Sequence, residues 1–412
     1  MASSFVRFAG VARAAALGLL LALAAGSLVA TPAVAAEKKE ELSPKVRDKY
    51  KPAKEAYDKE DLTGALAAGK EALAIAEKPY DKEQMLLFLR AVYGKQKDYP
   101  NYAATQEQLN ALDIYPAADR NSSYKSLAQI YAQNKNWEKV TEYGTKWAEN
   151  GGGLEADTLM WQVYLMQSDC EKGLNWLEKA AAEHETTEQE LLQENRCYYK
   201  LGMKDKRRAV MEQLTKRFMK HDYLSDLLLI YDEDNKMDTR AKLNFRRLEF
   251  MKGFMTRESE YTDYADDALE VGSPTEALTV LTQGKDQGIV KFIAASDKPS
   301  RMLAQAKQQA ADDKKSIAAL DREAQAGKSG EADVKVGLVY LGQGEYQKAA
   351  DAIKRGLSAD KVGKVKRVDD ANMMLGIAEW KLGNTDAAKA AFTAAQADSR
   401  MANTAGVWIA AL

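Results

Sequence analysis

The sequence predicts an all-α fold, a right-handed α-solenoid of about ten helical hairpins that ends in a C-terminal capping helix. Three observations support this prediction. Almost every stretch after Ser43 carries apolar residues at helical spacing. No stretch sustains the apolar–polar alternation of a half-buried strand. A pattern of small and large residues recurs every 33 to 39 residues, as expected for hairpins that bury their faces against one another.

The composition excludes several classes of protein and several kinds of site. The 412 residues are 46% hydrophobic with a formal net charge of −2, so the chain can bury a core and has no basic excess for nucleic acid. With His184 and His221 as its two histidines, a histidine-built metal centre or a histidine-dependent nucleophile is disfavoured. We therefore expect a protein that is not an enzyme, with no catalytic residue, no metal site, no cofactor and no nucleic-acid partner.

The first 36 residues have the layout of a secretory signal peptide. Arg7 and Arg13 precede an apolar run at residues 14–30, and small residues follow it. We expect cleavage near Ala35/Ala36. The run is short for a membrane span, so an uncleaved anchor is the less favoured alternative. Because no cysteine follows the run, we expect no lipid anchor, and a periplasmic protein without a membrane span once the signal is removed.

The remaining chain, residues 37–412, is the expected solenoid. Its repeat pattern is weak at 44–78, fair at 84–284, weak again at 300–326 and clearest at 331–395. One position in the first helix of each copy serves as a reference. These reference residues are Ala56, Tyr93, Tyr131, Tyr164, Tyr198, Tyr231, Ala268, Lys307, Tyr340 and Glu379.

Signals at the junctions agree with this register. Ser43 and Ser273 each place a capping hydroxyl before a first-turn proline, which predicts a helix start. The basic segment 361–367 lies between two copies and is expected to be a solvated loop, with a contact patch as the alternative. A last helix around Thr404–Leu412 is expected to cover the final hairpin.

The clearest copies resemble a known repeat. Gly337, Tyr340, Gly344 and Tyr346 stand at the turn-and-packing positions of a hairpin whose spacing resembles the tetratricopeptide repeat (TPR) of about 34 residues. The resemblance implies two antiparallel helices in each copy. It also implies that the first helix of each copy lines an inner groove.

The two cysteines fall in adjacent copies. Cys170 lies near the start of the second helix of one hairpin, and Cys197 lies toward the end of the first helix of the next. Those helices pack side by side in such a repeat, and an exported protein reaches an oxidising compartment, so a disulfide is one expectation. The alternative is that both are small buried apolar residues.

The inner positions of the middle copies are rich in amides and cations. Glutamine offers a donor and an acceptor to a peptide backbone, while lysine and arginine favour carboxylates. The alternative is an ordinary solvated helix face, because glutamine is a common helix former. The predicted protein-binding groove consists of Lys125, Gln129, Gln133, Gln162, Gln189, Gln193, Arg196 and Lys200.

In the C-terminal copies the corresponding positions are apolar. This stripe either docks a partner helix or is covered by the last helix of the chain itself, and we favour self-coverage. Its residues are Val334, Leu338, Met373, Ile377 and Trp380.

A repeat solenoid offers extended surface, so a non-catalytic scaffold or adaptor for protein–protein interaction is the expected function. More narrowly, the stretches Leu42–Tyr50, Ser273–Gly284 and Ala371–Ile409 resemble periplasmic TPR proteins associated with TonB-ExbB-ExbD systems. That resemblance implies a role in energy transduction for outer-membrane uptake, with TonB-system components as partners. The alternative is a cell-envelope assembly factor that binds lipoproteins or peptidoglycan enzymes. An enzyme or small-ligand binder with a site between repeats is the least favoured.

Overall fold

The structure is a computed structural model that describes residues 40–235 and 237–412. The expected signal peptide and its cleavage site lie outside these residues. Within the described ranges the chain forms twenty α-helices and no strand, which confirms the all-α helical-repeat fold. No helix in those ranges is both long enough and apolar enough to cross a membrane.

The described chain divides into two compact units, residues 40–120 and 121–412. In the N-terminal unit the helices form consecutive pairs, each joined by a short turn. Ala53 and Ala65 are fully buried there, and Phe88, Leu89 and Val92 complete the core around them. The helices are α1 (Pro44–Asp58), α2 (Leu62–Ala74), α3 (Pro79–Gln96), α4 (Tyr99–Asn110) and α5 (Ala117–Gln133), the last of which continues into the C-terminal unit.

The C-terminal unit continues the paired arrangement, with short helical turns at Ala148–Gly152 and Val362–Lys364. Consecutive helices pair as α5 with α6, α7 with α8, and so on to α14, and again as α16 with α17 and α18 with α19. Its further helices are α6 (Trp137–Trp147), α7 (Gly153–Met166), α8 (Cys170–Ala181), α9 (Glu188–Lys200), α10 (Lys204–Phe218), α11 (His221–Asn235), α12 (Thr239–Met251), α13 (Glu258–Val271), α14 (Pro274–Asp286), α15 (Lys298–Ala326), α16 (Gly330–Gly342), α17 (Tyr346–Gly356), α18 (Val368–Lys381), α19 (Thr385–Gln396) and α20 (Ala402–Ala411).

One backbone turn recurs between the two helices of a pair. The carbonyl of the reference residue accepts a hydrogen bond from the amide five residues later, as between Tyr93 and Asp98 at 2.9 Å. The residue just before that amide has a positive φ, as Lys97 does at 57° and Gly344 does at 74°. This is the Schellman end of a helix. The turn confirms the register at eight reference residues: Ala56, Tyr93, Tyr131, Tyr164, Tyr198, Ala268, Tyr340 and Glu379.

The weak copy at 300–326 is not a hairpin, so that part of the repeat prediction is wrong. Residues 298–326 form one continuous helix of 29 residues, and the reference residue Lys307 lies inside it. The reason is local. Between Ser300 and Ala326 the sequence has no glycine or proline that would favour the end of a helix, and small alanines alone do not turn a chain.

Close packing inside a pair follows the small-and-large pattern. A Cβ atom added to Gly376 would lie 2.4 Å from the Phe392 ring, and one added to Gly337 would lie 2.4 Å from Ile353. Both glycines therefore let the second helix of their own pair approach closely. Phe392 and Ile353 are fully buried as a result.

The basic segment 361–367 is solvated at Gly363, Lys364 and Lys366, as expected, but its two end residues pair with carboxylates of the fold. Lys361 donates to Asp333 at 2.8 Å and to the Ala324 carbonyl at 3.1 Å. Arg367 pairs with both Asp369 and Asp238 at 2.7 Å. These cations compensate carboxylates that the fold buries, and the sequence pattern alone did not reveal those partners.

The C-terminal helices of this unit fold back onto α10 and α12. Trp408 of α20 is buried, and its indole Nε1 donates to the Asn244 carbonyl at 2.8 Å. The Asn244 amide donates to Asp370 of α18 at 2.8 Å, and Arg240 donates to the same carboxylate at 2.5 Å. The expectation that the last helix covers the chain's own final hairpin is confirmed.

The structure joins Cys170, the first residue of α8, to Cys197 in the last turn of α9. Their Cα atoms are 5.3 Å apart, which lies within the ordinary range for a disulfide. The bond links the second helix of one pair to the first helix of the next.

Candidate functional site

Four successive first helices of the C-terminal unit each carry a stripe of accessible residues three or four positions apart. Such spacing places the members of each stripe on one face of their helix. We call these four stripes together the first-helix face. Its residues are Ser126, Gln129 and Gln133 on α5; Glu155, Leu159, Gln162 and Met166 on α7; Gln189, Leu192, Arg196 and Tyr199 on α9; and Asp222, Asp226, Leu229 and Glu233 on α11.

Side-chain contacts hold neighbouring first helices side by side. Lys125 of α5 pairs with Glu155 of α7, and its ammonium lies 5.3 Å from the centre of the Trp147 ring. Lys200, at the end of α9, donates to the carbonyl of Ser168, just after α7, at 2.7 Å. Two of the predicted groove residues therefore serve to connect successive repeats.

A similar contact joins α9 to α11. Glu188 of α9 accepts hydrogen bonds from Lys220 at 2.5 Å and from the hydroxyl of Tyr223. These two donors hold the pKa of Glu188 below its ordinary value, so the carboxylate stays charged at neutral pH. The first helices from α5 to α11 thus form one continuous row.

The other six predicted groove residues lie on or beside this row. Gln133, Gln189 and Arg196 are exposed, and the remaining three are half-buried. Within the described ranges none of the six makes an intramolecular side-chain hydrogen bond or ion pair. Their donors and acceptors therefore remain available to a second molecule. The half-buried residues are Gln129, Gln162 and Gln193.

The apolar part of this face was not predicted from the sequence. Met166 is 65% exposed, Tyr199 is 70% exposed and Leu229 is 61% exposed. Leu192 stands seven residues before Tyr199 and is also exposed. Leu192 and Tyr199 are two helical turns apart and therefore share one face of α9, while the buried residues Leu191 and Cys197 lie on other faces. That spacing is the sequence signal that would have predicted this exposed apolar pair.

The charge of the face changes along the row. Amides predominate on α5, Arg196 and Lys200 place positive charge on α9, and Asp222, Asp226 and Glu233 place negative charge on α11. A bound segment would therefore meet amides, then apolar side chains with cations, then carboxylates. In the described ranges no three His, Cys, Asp or Glu side chains are arranged to hold a metal ion.

The apolar stripe of the C-terminal copies is covered rather than accessible. Val334, Leu338, Met373 and Ile377 are all buried in one core cluster. Trp380 is half-buried and its ring packs edge-on against Trp408 with centroids 5.6 Å apart. Self-coverage, the favoured expectation for this stripe, is what the structure has.

No family model matches the sequence, and no curated protein matches it. Among solved structures, a tetratricopeptide repeat protein from Parabacteroides merdae is 12% identical over 82% of this chain and 99% of that chain, with a TM-score of 0.28. The TPR domain of P58(IPK) is 12% identical over 89% and 97% of the two chains, with a TM-score of 0.26. Naa15/Naa10 bound to HypK-THB is 16% identical over 85% and 58%, with a TM-score of 0.31. Because these TM-scores are low, the fold assignment rests on the helix pairs of this chain.

Proposed function

We propose that this chain is a non-catalytic TPR-type scaffold that binds a protein segment along the first-helix face. One observation carries the proposal. In helices α5 to α14, the exposed large apolar residues all stand on first helices, at Met166, Leu192, Tyr199 and Leu229, and two more, Leu201 and Met203, lie in the turn that follows the first helix α9. The second helices in that range expose none among their described residues. Exposed apolar side chains gathered on one face, beside unpaired amides, are typical of a protein-binding surface.

The chemistry of the face defines the kind of segment that fits it. Tyr199 and Leu229 would supply apolar anchors, and Gln129, Gln162 and Gln193 would pair with backbone amides and carbonyls. Glutamine–backbone pairing does not require a particular sequence. The anchors would give affinity, and the change from Arg196 to the carboxylates of α11 would set the direction of the bound segment.

The cellular setting is a finer proposal. The signal-like N-terminus and the resemblance described above support a periplasmic protein that assists TonB-dependent energy transduction and outer-membrane uptake. Under this proposal the bound segment belongs to a TonB-system component. A cell-envelope assembly factor would use the same face for lipoproteins or peptidoglycan enzymes, so the partner's identity separates the two.

In-cell photocrosslinking tests the proposal. Photoreactive residues at Gln129, Gln162 and Gln193 should capture one common protein, while exposed polar control positions on second helices, Asn175 and Gln213, should not. Mass spectrometry identifies the captured protein, and TonB-system components would support the finer proposal. Recovery of lipoproteins or peptidoglycan enzymes would support the alternative instead.

A double variant checks that the apolar anchors matter. Tyr199→Ser with Leu229→Ser should abolish capture while changing the free energy of unfolding by less than about 0.5 kcal/mol per site, because both side chains are exposed. Capture from Asn175 and Gln213 alone, or full capture by the double variant, would show that this face is only a solvated surface.

A further inference from the structure

A concave site lies in the C-terminal unit, on residues that do not belong to the first-helix face. It is a cleft of about 260 Å³ between α12, α14, the α16–α17 turn and the end of α18. Phe250, Val280, Leu341 and Ile377 give it apolar walls. Ile377 of the apolar stripe lies in one wall and is itself 3% exposed, so the stripe stays covered beside this cleft.

A buried ion pair forms part of the cleft lining. Arg247 is 3% exposed, and its Nε and Nη2 atoms donate to the two carboxylate oxygens of Glu276 at 2.7 and 2.8 Å. Its Nη1 donates to Asn244 at 2.7 Å. Burial opposes charge on Glu276, but the Arg247 guanidinium outweighs it and holds the pKa of that carboxyl below its ordinary value. The pair is therefore ionised and contributes no net charge.

The remaining polar lining has donors without acceptors. The Gln343 Nε2 atom is buried and has no hydrogen-bond partner among the described residues. Lys381 is exposed beside the Tyr346 and Trp380 rings, 6.0 Å from each centre, and forms no ion pair within the described ranges. The charged lining, Arg247 and Lys381 against Glu276, therefore carries a net charge of +1.

We propose that this cleft binds a small apolar carboxylate about the size of one hydrophobic amino-acid residue. The carboxylate would form an ion pair with the Lys381 ammonium and accept a hydrogen bond from the Gln343 amide once that side chain turns toward the cleft, and the apolar part would pack against Phe250. Apolar walls with a few polar groups beside them are the usual composition of a small-ligand site. The ligand is either a free carboxylic acid or the C-terminal residue of a peptide.

Titration with matched probes tests the proposal. Isothermal titration of the purified chain with 3-phenylpropionate should show binding, while 3-phenylpropionamide, which lacks the charge, should bind about threefold to tenfold more weakly. The peptide Ala-Ala-Phe with a free or an amidated C-terminus distinguishes the two sources. Binding of the free peptide that exceeds binding of 3-phenylpropionate would favour a peptide end, and the reverse order would favour a free acid.

Variants locate the bound probe. Lys381→Gln should weaken binding of the acid by about threefold without affecting the amide, because an exposed charge contributes modestly. Gln343→Met should weaken it without lowering the stability of the free protein, since the amide nitrogen has no partner to lose. Thr279→Trp, which fills the cleft mouth, should abolish binding.

Lys389→Gln removes an exposed lysine of α19 outside the cleft and should leave the affinity unchanged. The proposal is overturned by equal affinity for acid and amide, by undiminished binding to the Thr279→Trp variant, or by the absence of binding at about 10 mM probe, since even millimolar affinity corresponds to only about 4 kcal/mol. None of these outcomes bears on the first-helix face, so this proposal and the proposed function can fail separately.

Discussion

The row of first helices from α5 to α11 and the C-terminal helices α16 to α20 share one repeat spacing but differ in what they do with it. In the first region the stripe positions remain accessible, with Tyr199 and Met166 exposed. In the second region Met373 and Ile377 are buried in a core cluster that also contains residues of α16, α17, α19 and α20. The repeat therefore determines how a helix packs within its pair. Whether the stripe positions become surface or core depends on whether later helices of the chain pack over them.

The polar chemistry differs in the same way. The accessible row uses surface contacts such as Lys125 with Glu155, whose side chains are 43% and 69% exposed. The covered region uses buried groups, among them Asp333, Asp369 and Asp370. Exposed ion pairs contribute little to stability, while buried polar groups are costly whenever a partner is lost. We therefore expect the covered region to be the more sensitive to substitution.

The largest expected effect comes from opening the covered region at Trp408. Trp408→Ala removes a buried ring that packs against Trp380 and Phe392, and it removes the indole donor from the Asn244 carbonyl. The free energy of unfolding should fall by about 3 to 5 kcal/mol. Denaturant unfolding of the purified chain measures this loss. Leu412→Ala, at the exposed end of the chain, is the control and should change stability by no more than about 0.5 kcal/mol.

A loss below about 1 kcal/mol for Trp408→Ala would contradict the covered arrangement, since a ring buried between α18, α19 and α12 cannot be removed so cheaply. Limited proteolysis adds a second readout. Cleavage between α19 and α20 should become faster in Trp408→Ala and should be unchanged in Leu412→Ala.

The accessible row contains a disulfide bond between Cys170 and Cys197, which is the basis of the second prediction. We propose that the pair is oxidised in the exported protein. Thiol titration of the denatured, unreduced protein should then detect no reactive thiol. Because the bond closes a loop with a sequence separation of 27, the Cys170→Ala and Cys197→Ala double variant should lose about 3 kcal/mol of stability.

Reduced wild-type protein is the matched control and should unfold at the same denaturant concentration as the double variant. Two reactive thiols in the exported protein would refute the oxidised state. The first-helix face would then depend on helix packing and on the side-chain contacts between successive first helices.

The sequence could predict most of the pairing and little of the coverage. Four of the recurring turns contain Gly202, Gly272, Gly344 or Gly383 at the left-handed position, a signal that is visible in the sequence. The other four use Glu60, Lys97, Lys135 and Ser168, residues that seldom adopt positive φ, so only the regular spacing revealed them. Local rules were therefore enough to place eight turns.

Long-range contacts escaped the same reasoning. Asn244 meets Asp370 across 126 residues of sequence, and Trp408 meets Asn244 across 164. No periodicity encodes such pairings, because a buried polar residue in a helix looks the same in sequence as an exposed one. For the same reason the sequence did not distinguish the exposed residues Tyr199 and Leu229 from core residues. The glutamines beside them were predicted to be accessible because they are polar.

The smallest expected effect concerns the junction of α8 and α9, where His184 contacts two acceptors. In the protonated ring, Nδ1 donates to the Ala180 carbonyl at 2.8 Å and Nε2 donates to Glu190 at 3.0 Å. These two bonds, the carbonyl first and then the carboxylate, raise the pKa of His184 above its ordinary value. A raised pKa in the folded state means that the protonated ring stabilises the fold, fully below about pH 6.5 and progressively less as the pH rises through the raised value.

His184→Gln should therefore lower the free energy of unfolding at pH 5.5 and have almost no effect at pH 8.5. The loss at the lower pH should stay below about 1 kcal/mol, because the ring is a quarter exposed and water screens the pair. Denaturant unfolding at both pH values measures the difference. Asn175→Gln on α8 adds no titrating group and should show none. An equal loss at both pH values would mean that His184 acts only through packing, and that protonation at this junction does not help to fix the angle between neighbouring repeats of the accessible row.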